Sequence, residues 1–207
     1  MKCILAGPPR SGKSCLREGL KQAIIRRVRE LGLDAFEYYP YVITGGCPDG
    51  EGSWFQATVN LSPEAAALAK AEYKSRFTFG FVQRVATSVA ACTDLITLVD
   101  IGGFPSIENQ AICAAATHAI LLAGDSDKET WTERLTVWHD FCRYLGLKVL
   151  AELHSDYFGV EDTVEGVTTD GTFRGTVHHL ERGESVSERS AVVALADYII
   201  RLVAAGE

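Results

Sequence analysis

The chain predicts a three-layer α/β fold: a mainly parallel sheet with helices on both faces and a small C-terminal hairpin or flap. Three observations carry this expectation. Short apolar runs at residues 3–6, 95–100, 117–123 and 147–153 read as parallel strands buried on both faces. Stretches of helical period alternate with them, as strand–helix–strand units require. The opening stretch Lys2-Cys3-Ile4-Leu5-Ala6-Gly7-Pro8-Pro9-Arg10-Ser11-Gly12-Lys13-Ser14 fits the pattern G-x-x-x-x-G-K-[ST], set between a strand and a helix.

With Gly at about 7% of residues, that pattern arises by chance roughly once in 10⁴ to 10⁵ start positions. The flanking apolar run and the amphipathic stretch over residues 12–31 lower the odds of a chance match further. The chemistry follows from the backbone. Small residues let successive N–H groups turn inward around an anion, and the helix that follows points its positive dipole end at the same spot. Gly7, Pro8, Pro9, Arg10, Ser11, Gly12, Lys13, Ser14 and Cys15 are therefore the candidate phosphate-binding residues. Lys13 would reach the β- and γ-phosphates, and the Ser14 hydroxyl would ligate Mg²⁺.

At 207 residues the chain suits one domain with a sizeable core. Hydrophobic content of 47% and charged content of 23% are globular values, and no apolar run approaches a membrane span. No export signal is evident at the start. The six cysteines (Cys3, Cys15, Cys47, Cys92, Cys113, Cys142) are dispersed without a C-x-x-C pair, which suits free thiols in a cytoplasmic setting. A net charge of −7 argues against a surface broadly attractive to nucleic acid. Arg10, Lys13, Arg17, Lys21, Arg26, Arg27 and Arg29 crowd the first helix, which reads as a solvated face whose first turn would also help hold phosphate.

Residues 34–39 have strand composition, interrupted by Pro40 before Tyr41-Val42-Ile43-Thr44. The Gly-rich stretch that follows carries Asp49 and Glu51, placed to orient an acceptor hydroxyl or a metal-bound water if it lies at the carboxyl edge of the sheet. Ser62-Pro63-Glu64 starts a helix reaching Arg76, and a second helix covers residues 78–92. The run ending at Asp100 supplies the carboxylate that phosphoryl chemistry needs beside the loop metal, so Asp100 is the second metal candidate. Asp100 to Gly103 also has the D-x-x-G spacing by which Gly103 can offer a backbone N–H to the γ-phosphate.

Ser106 caps a helix to Ala116, with Glu108 as a dipole partner or a water-orienting base. No Asn-Lys-x-Asp sequence follows the next strand, which points to adenine rather than guanine. Residues 128–145 form a helix with Trp131, Leu135, Trp138, Phe141, Cys142 and Leu145 on its core face and His139 outside it. After the strand at residues 147–153, Ser155 and Asp156 lie where related architectures touch base or ribose. Residues 156–184 read as a flap or lid ending in His178 and His179, which a strand would point to opposite faces, one buried and one exposed. Arg182 and Arg189 are candidates for a phosphate-facing arginine. Ser185 to Glu188 fits a capping box ahead of a terminal helix over residues 191–204.

Several fragments together resemble the AAA-type P-loop domain fused to a ring nuclease in some type III CRISPR systems. They are Pro48-Asp49-Gly50-Glu51-Gly52-Ser53-Trp54-Phe55-Gln56, Val99-Asp100-Ile101-Gly102-Gly103, Glu108-Asn109, Thr117-His118-Ala119-Ile120-Leu121, Trp138-His139-Asp140-Phe141-Cys142, Leu153-His154-Ser155 and Val177-His178-His179-Leu180-Glu181-Arg182-Gly183. The resemblance implies a part in antiviral signalling beside an enzyme that degrades cyclic oligoadenylates. The short nuclease domain of such fusions is not visible here, so ring-nuclease activity does not carry over. What transfers is the loop at Gly7 to Ser14 and the acid at Asp100.

The sequence thus predicts a P-loop NTPase fold binding ATP and Mg²⁺, and hydrolysing ATP or transferring its γ-phosphoryl group to an acceptor. Lys13, Asp100, Asp49 and Glu51 are the candidate catalytic residues. The alternative is a nucleotide-gated regulatory or oligomerisation module with little turnover. Expected partners are a nucleotide, a ring nuclease or other component of the cyclic oligoadenylate pathway, and a second copy of the chain. Neither a membrane nor sequence-specific nucleic-acid contact is expected.

Overall fold

A computed structural model of the chain describes residues 1–45, 78–181 and 183–206. In chain order its elements are β1 (Lys2–Ala6), α1 (Lys13–Glu30), β2 (Tyr41–Thr44), α2 (Phe79–Ala91), β3 (Thr97–Asp100), α3 (Ile107–Cys113), β4 (His118–Ala123), α4 (Trp131–Leu145), β5 (Lys148–Asp156), β6 (Thr163–Val167), β7 (Phe173–His178) and α5 (Ser190–Ala204). The strands form one sheet in the order β2-β3-β1-β4-β5-β7-β6. Every pairing is parallel except β6 with β7.

Alternation along β1 explains the layers. Cys3 and Leu5 face one side of the sheet and meet Leu16, Leu20 and Ile24 of α1, with Val192, Leu195 and Ile199 of α5. Ile4 and Ala6 face the other side and meet Val85 and Val89 of α2, Ile112 of α3, and Trp138 and Phe141 of α4. Both faces of the central strands are covered, which is why they read as unbroken apolar runs.

The Cys3, Cys113 and Cys142 thiols are all held above the usual range by burial, that of Cys142 at about 12. The five described cysteines are free, in line with the dispersed pattern. Among the described residues no helix is long and apolar enough to cross a membrane.

Several local expectations yield to specific contacts. Residues 34–39 turn rather than extend, because Asp34 Oδ1 accepts from the Phe36 and Glu37 amides at 2.8 and 3.3 Å. Such side-chain-to-backbone bonds compete with a strand. Helix α4 starts at Trp131, three residues later than its pattern suggests, because Thr130 and Glu133 form a capping box. Strand β5 runs on to Asp156 because β7 pairs with it that far, Asp156 opposite His178. The C-terminal hairpin is present, and its inner strand β7 is part of the main sheet rather than a cover over it.

The proposed box at Ser185 and Glu188 does not cap a helix. Ser185 Oγ lies 3.3 Å from Ser187 Oγ, Glu188 pairs with Arg26, and α5 begins only at Ser190. Its cap comes from elsewhere: Asp162, with its side chain 2% exposed, accepts the Ala191 amide at 3.1 Å. The other Asp162 oxygen takes the His178 amide at 3.1 Å and lies 2.6 Å from His178 Nδ1. One buried carboxylate thus joins the hairpin to the first turn of α5. Asp162→Ala should lower stability by about 2 kcal/mol, because it orphans buried donors as well as removing bonds. Chemical denaturation checks this, and a loss below about 0.5 kcal/mol would contradict the role.

Candidate functional site: the loop at the carboxyl edge of β1

Strands β3 and β4 pack on opposite sides of β1, so the crevice beyond its carboxyl end is a topological switch point, where open α/β sheets bind ligands. The chain from Gly7 to Gly12 fills that position, between β1 and the first turn of α1. Gly7 has φ 147°, and a Cβ there would lie 1.9 Å from the Leu122 carbonyl oxygen. No L side chain fits so close an approach. Arg10, at the exposed side of the loop, is held at φ 63°.

Lys13 is 8% exposed and arches back over the loop, its Nζ donating to the Gly7 and Pro8 carbonyls at 3.0 and 2.9 Å. The ammonium therefore sits across the mouth of the cradle. Ser14 Oγ donates to Asp100 Oδ2 at 2.8 Å. The loop serine and the acid 86 residues away form one unit, because Asp100 ends β3 in register with Leu5 of β1. On its other side the Asp100 backbone is fixed by β2: it pairs with Thr44 and its carbonyl accepts the Gly45 amide at 2.8 Å.

Gly103 lies against the same loop. A Cβ there would come within 2.6 Å of the Pro9 nitrogen, so only glycine allows the segment after Asp100 to touch the cradle. Asn109 of α3 fixes that segment, its Nδ2 donating to the Phe104 carbonyl at 2.7 Å and to the Gly102 carbonyl at 3.3 Å. Glu108, beside it, is kept ionised below the usual carboxyl range by the Ser106 hydroxyl and by a backbone amide. Those bonds at the start of α3 suit the dipole-partner reading.

The residues present fit a metal-bound polyphosphate. The cradle offers an ammonium, a hydroxyl and a carboxylate in one cluster, and the buried Ser11 hydroxyl makes no hydrogen bond among the described residues. Cys15 lies half-buried in the first turn of α1. Asp49 and Glu51 lie outside the described residues, as do Cys47, Arg182 and the predicted helix from Ser62 to Arg76.

Ser155 and Asp156 end β5, two strands from β1 on the same edge of the sheet. The Asp156 carboxylate there accepts the Phe158 amide at 3.1 Å, closing its own turn. Leu180, just past β7, lies over Gly12, which brings the exit of β7 to the cradle. That placement depends on β7 joining the sheet, and the hairpin pattern alone did not reveal it.

Arg189 is not phosphate-facing: its guanidinium donates to the His178 and His179 carbonyls and to Glu184. The two histidines are both half-buried rather than split between core and solvent, because His179 leaves strand geometry at φ 39°. His179 Nε2 lies 3.0 Å from Glu181, with Glu184 at 4.0 Å, and Arg189 answers the Glu184 charge. His139, expected to be structural or exposed, pairs with Glu152 at 3.3 Å.

Sequence reasoning missed Arg17, Thr44 and Asn109. Arg17 follows Ser14 by three positions, so both side chains emerge on one face of α1. That spacing was the available signal.

The parallel sheet, the loop at its switch point and the acid at the end of β3 together have the form of a P-loop NTPase fold. No family model matches the chain, and no curated protein matches it. Among solved structures, the chain is similar to the septum site-determining protein MinD from Pyrococcus horikoshii, complexed with Mg-ADP. That similarity has a TM-score of 0.58 at 12% identity and covers 100% of this chain and 98% of the other. It is also similar to a protein from Borrelia burgdorferi assigned to plasmid partition, bound to AMPPNP, with a TM-score of 0.56 at 10% identity and coverage of 100% and 99%. At these identities the likeness establishes the fold.

Proposed function

We propose that the chain is a single nucleotide-binding domain that takes ATP with Mg²⁺ and hydrolyses it or passes its γ-phosphoryl group to an acceptor. The observation that carries this reading is the 2.8 Å bond between Ser14 and Asp100 beneath the Lys13 ammonium. Phosphoryl transfer needs little covalent help from a protein; it needs positioning and charge neutralisation at the phosphate oxygens. Lys13 and the loop amides would hold the β- and γ-phosphates. Ser14 and Asp100 would hold the metal, which supplies Lewis-acid stabilisation of the transferring group when bound. Gly103, pressed on Pro9, would offer its amide to the γ-phosphate. Asp49 or Glu51 would position the acceptor. Adenine is favoured by the lack of Asn-Lys-x-Asp, and Ser155 and Asp156 stand on the edge where the base would lie. The nucleotides bound by the two solved neighbours, AMPPNP and Mg-ADP, agree with this choice.

A second reading, a nucleotide-gated module with little turnover, is favoured by one feature. Phe104 follows Gly103 and Ile107 opens α3 just beyond it; they are 69% and 75% exposed, so a change at the γ-phosphate would move apolar surface that a second copy could bury. The link to a ring nuclease and antiviral signalling is supported by the sequence fragments alone. Single-turnover assays with labelled ATP, with and without adenylate-type acceptors, separate these readings. Free phosphate is expected for an ATPase and labelled acceptor for a kinase. Tight binding with neither product would leave the gated module.

A further inference from the structure

The motif G-x-x-x-x-G-K-[ST] says nothing about the residue three positions beyond its serine, yet that residue is bonded to the metal-site carboxylate. Arg17 NH1 lies 3.4 Å from Asp100 Oδ2, the same oxygen that accepts from Ser14 Oγ, and 3.4 Å from Thr44 Oγ1 on β2. The Arg17 side chain is 11% exposed and that of Asp100 2%, so water and salt screen the pair weakly. Among the described residues one further carboxylate touches the guanidinium: Glu18, at 4.0 Å from NH2, with its side chain 53% exposed and counting for little. Lys13, 8% exposed, is a second cation among the described residues of the cluster.

We infer that Arg17 is a built-in counter-charge that keeps free divalent metal off Asp100, so that metal enters this site with the nucleotide. The inference rests on the nucleotide reading above. Among the described residues the Asp100 carboxylate already has a cationic partner in Arg17. A bare divalent ion must compete with that guanidinium for the carboxylate and gains little by leaving water. A polyphosphate adds negative charge at the site, and the metal it carries then finds Ser14 and Asp100 already in place. Arg17 also spans α1, β2 and β3, so it positions the carboxylate as well as balancing it.

The test uses Mn²⁺ as a paramagnetic probe, titrated into the full chain with and without saturating ADP and read by the free-ion resonance. Wild-type protein is expected to take Mn²⁺ strongly only with ADP. Arg17→Gln should tighten nucleotide-free Mn²⁺ binding by about tenfold or more, the effect of removing one nearby, poorly screened charge. Arg17→Lys, which keeps the charge, should stay near wild type. Adding Asp100→Asn to Arg17→Gln should abolish the gain, which ties it to this carboxylate rather than to surface acids.

Unchanged nucleotide-free affinity in a folded Arg17→Gln protein overturns the inference. So does micromolar Mn²⁺ uptake at Asp100 by nucleotide-free wild type, judged by its loss in Asp100→Asn, a result that does not depend on Arg17→Gln folding. Failure of wild type to bind ADP is a different result, since it removes the nucleotide reading itself.

Discussion

Lys13→Ala is expected to weaken ATP binding by about a hundredfold or more while leaving the protein folded. Hydrogen bonds from a charged donor are worth about 1.5–3 kcal/mol each, and every 1.4 kcal/mol is tenfold in affinity. An ammonium that reaches two phosphate groups in a mostly buried site therefore accounts for two orders of magnitude. Folding should survive because the Gly7 and Pro8 carbonyls that accept from the Lys13 ammonium belong to the loop rather than to the sheet ladder. Fluorescent-nucleotide titration reads the affinity and circular dichroism reads the fold. Wild-type affinity in the variant would remove the loop from the function.

Asp100→Asn should have two separable effects. Turnover, read as phosphate release or labelled acceptor, should fall by about two to three orders of magnitude, because the metal loses an anionic neighbour and its several kcal/mol of charge stabilisation are reduced. Stability should also fall, by about 3 kcal/mol, because a guanidinium 11% exposed is left without its carboxylate. The double variant Asp100→Asn with Arg17→Gln should regain most of the lost stability and none of the lost turnover. Thermal melts and product assays on the three proteins separate the effects. A double variant as unstable as Asp100→Asn would show that Asp100 serves the fold in some other way.

Most of the framework was legible because it depends on local pattern. Strands covered on both faces must be apolar throughout, and β1, β3 and β4 each appear within two residues of their predicted ends. The loop is legible because phosphate binding constrains backbone and residue type together over eight positions. Asp100 is legible because an acid closing a buried strand has few other reasons to be there.

What was not legible depends on contacts between distant segments. The helix cap on α5 comes from Asp162, 29 residues earlier, while Ser185 and Glu188 carry the right letters without the geometry. The turn at residues 34–39 has strand composition, but one carboxylate bonding its own backbone decides it. The basic face of α1 read as solvated. Arg26 and Arg27 do pair with the acids Glu188 and Asp197 near the surface, while Arg17, on the same helix, is mostly covered and pairs with Asp100. Periodicity gives the face of a helix, and it cannot say which neighbour that face meets.

The central claim is that anionic oxygens settle in the ring of amides that opens α1, with a divalent ion beside the Ser14 hydroxyl. A crystal structure of the full chain with AMPPNP and Mg²⁺ measures this most directly. The account predicts the β-phosphate within hydrogen-bonding distance of the amides of residues 11–15, Lys13 moved from the Gly7 and Pro8 carbonyls onto phosphate, and the metal on Ser14 Oγ with Asp100 one water away. A nucleotide bound elsewhere, or a cradle that stays closed by Lys13 at saturating nucleotide, would contradict it.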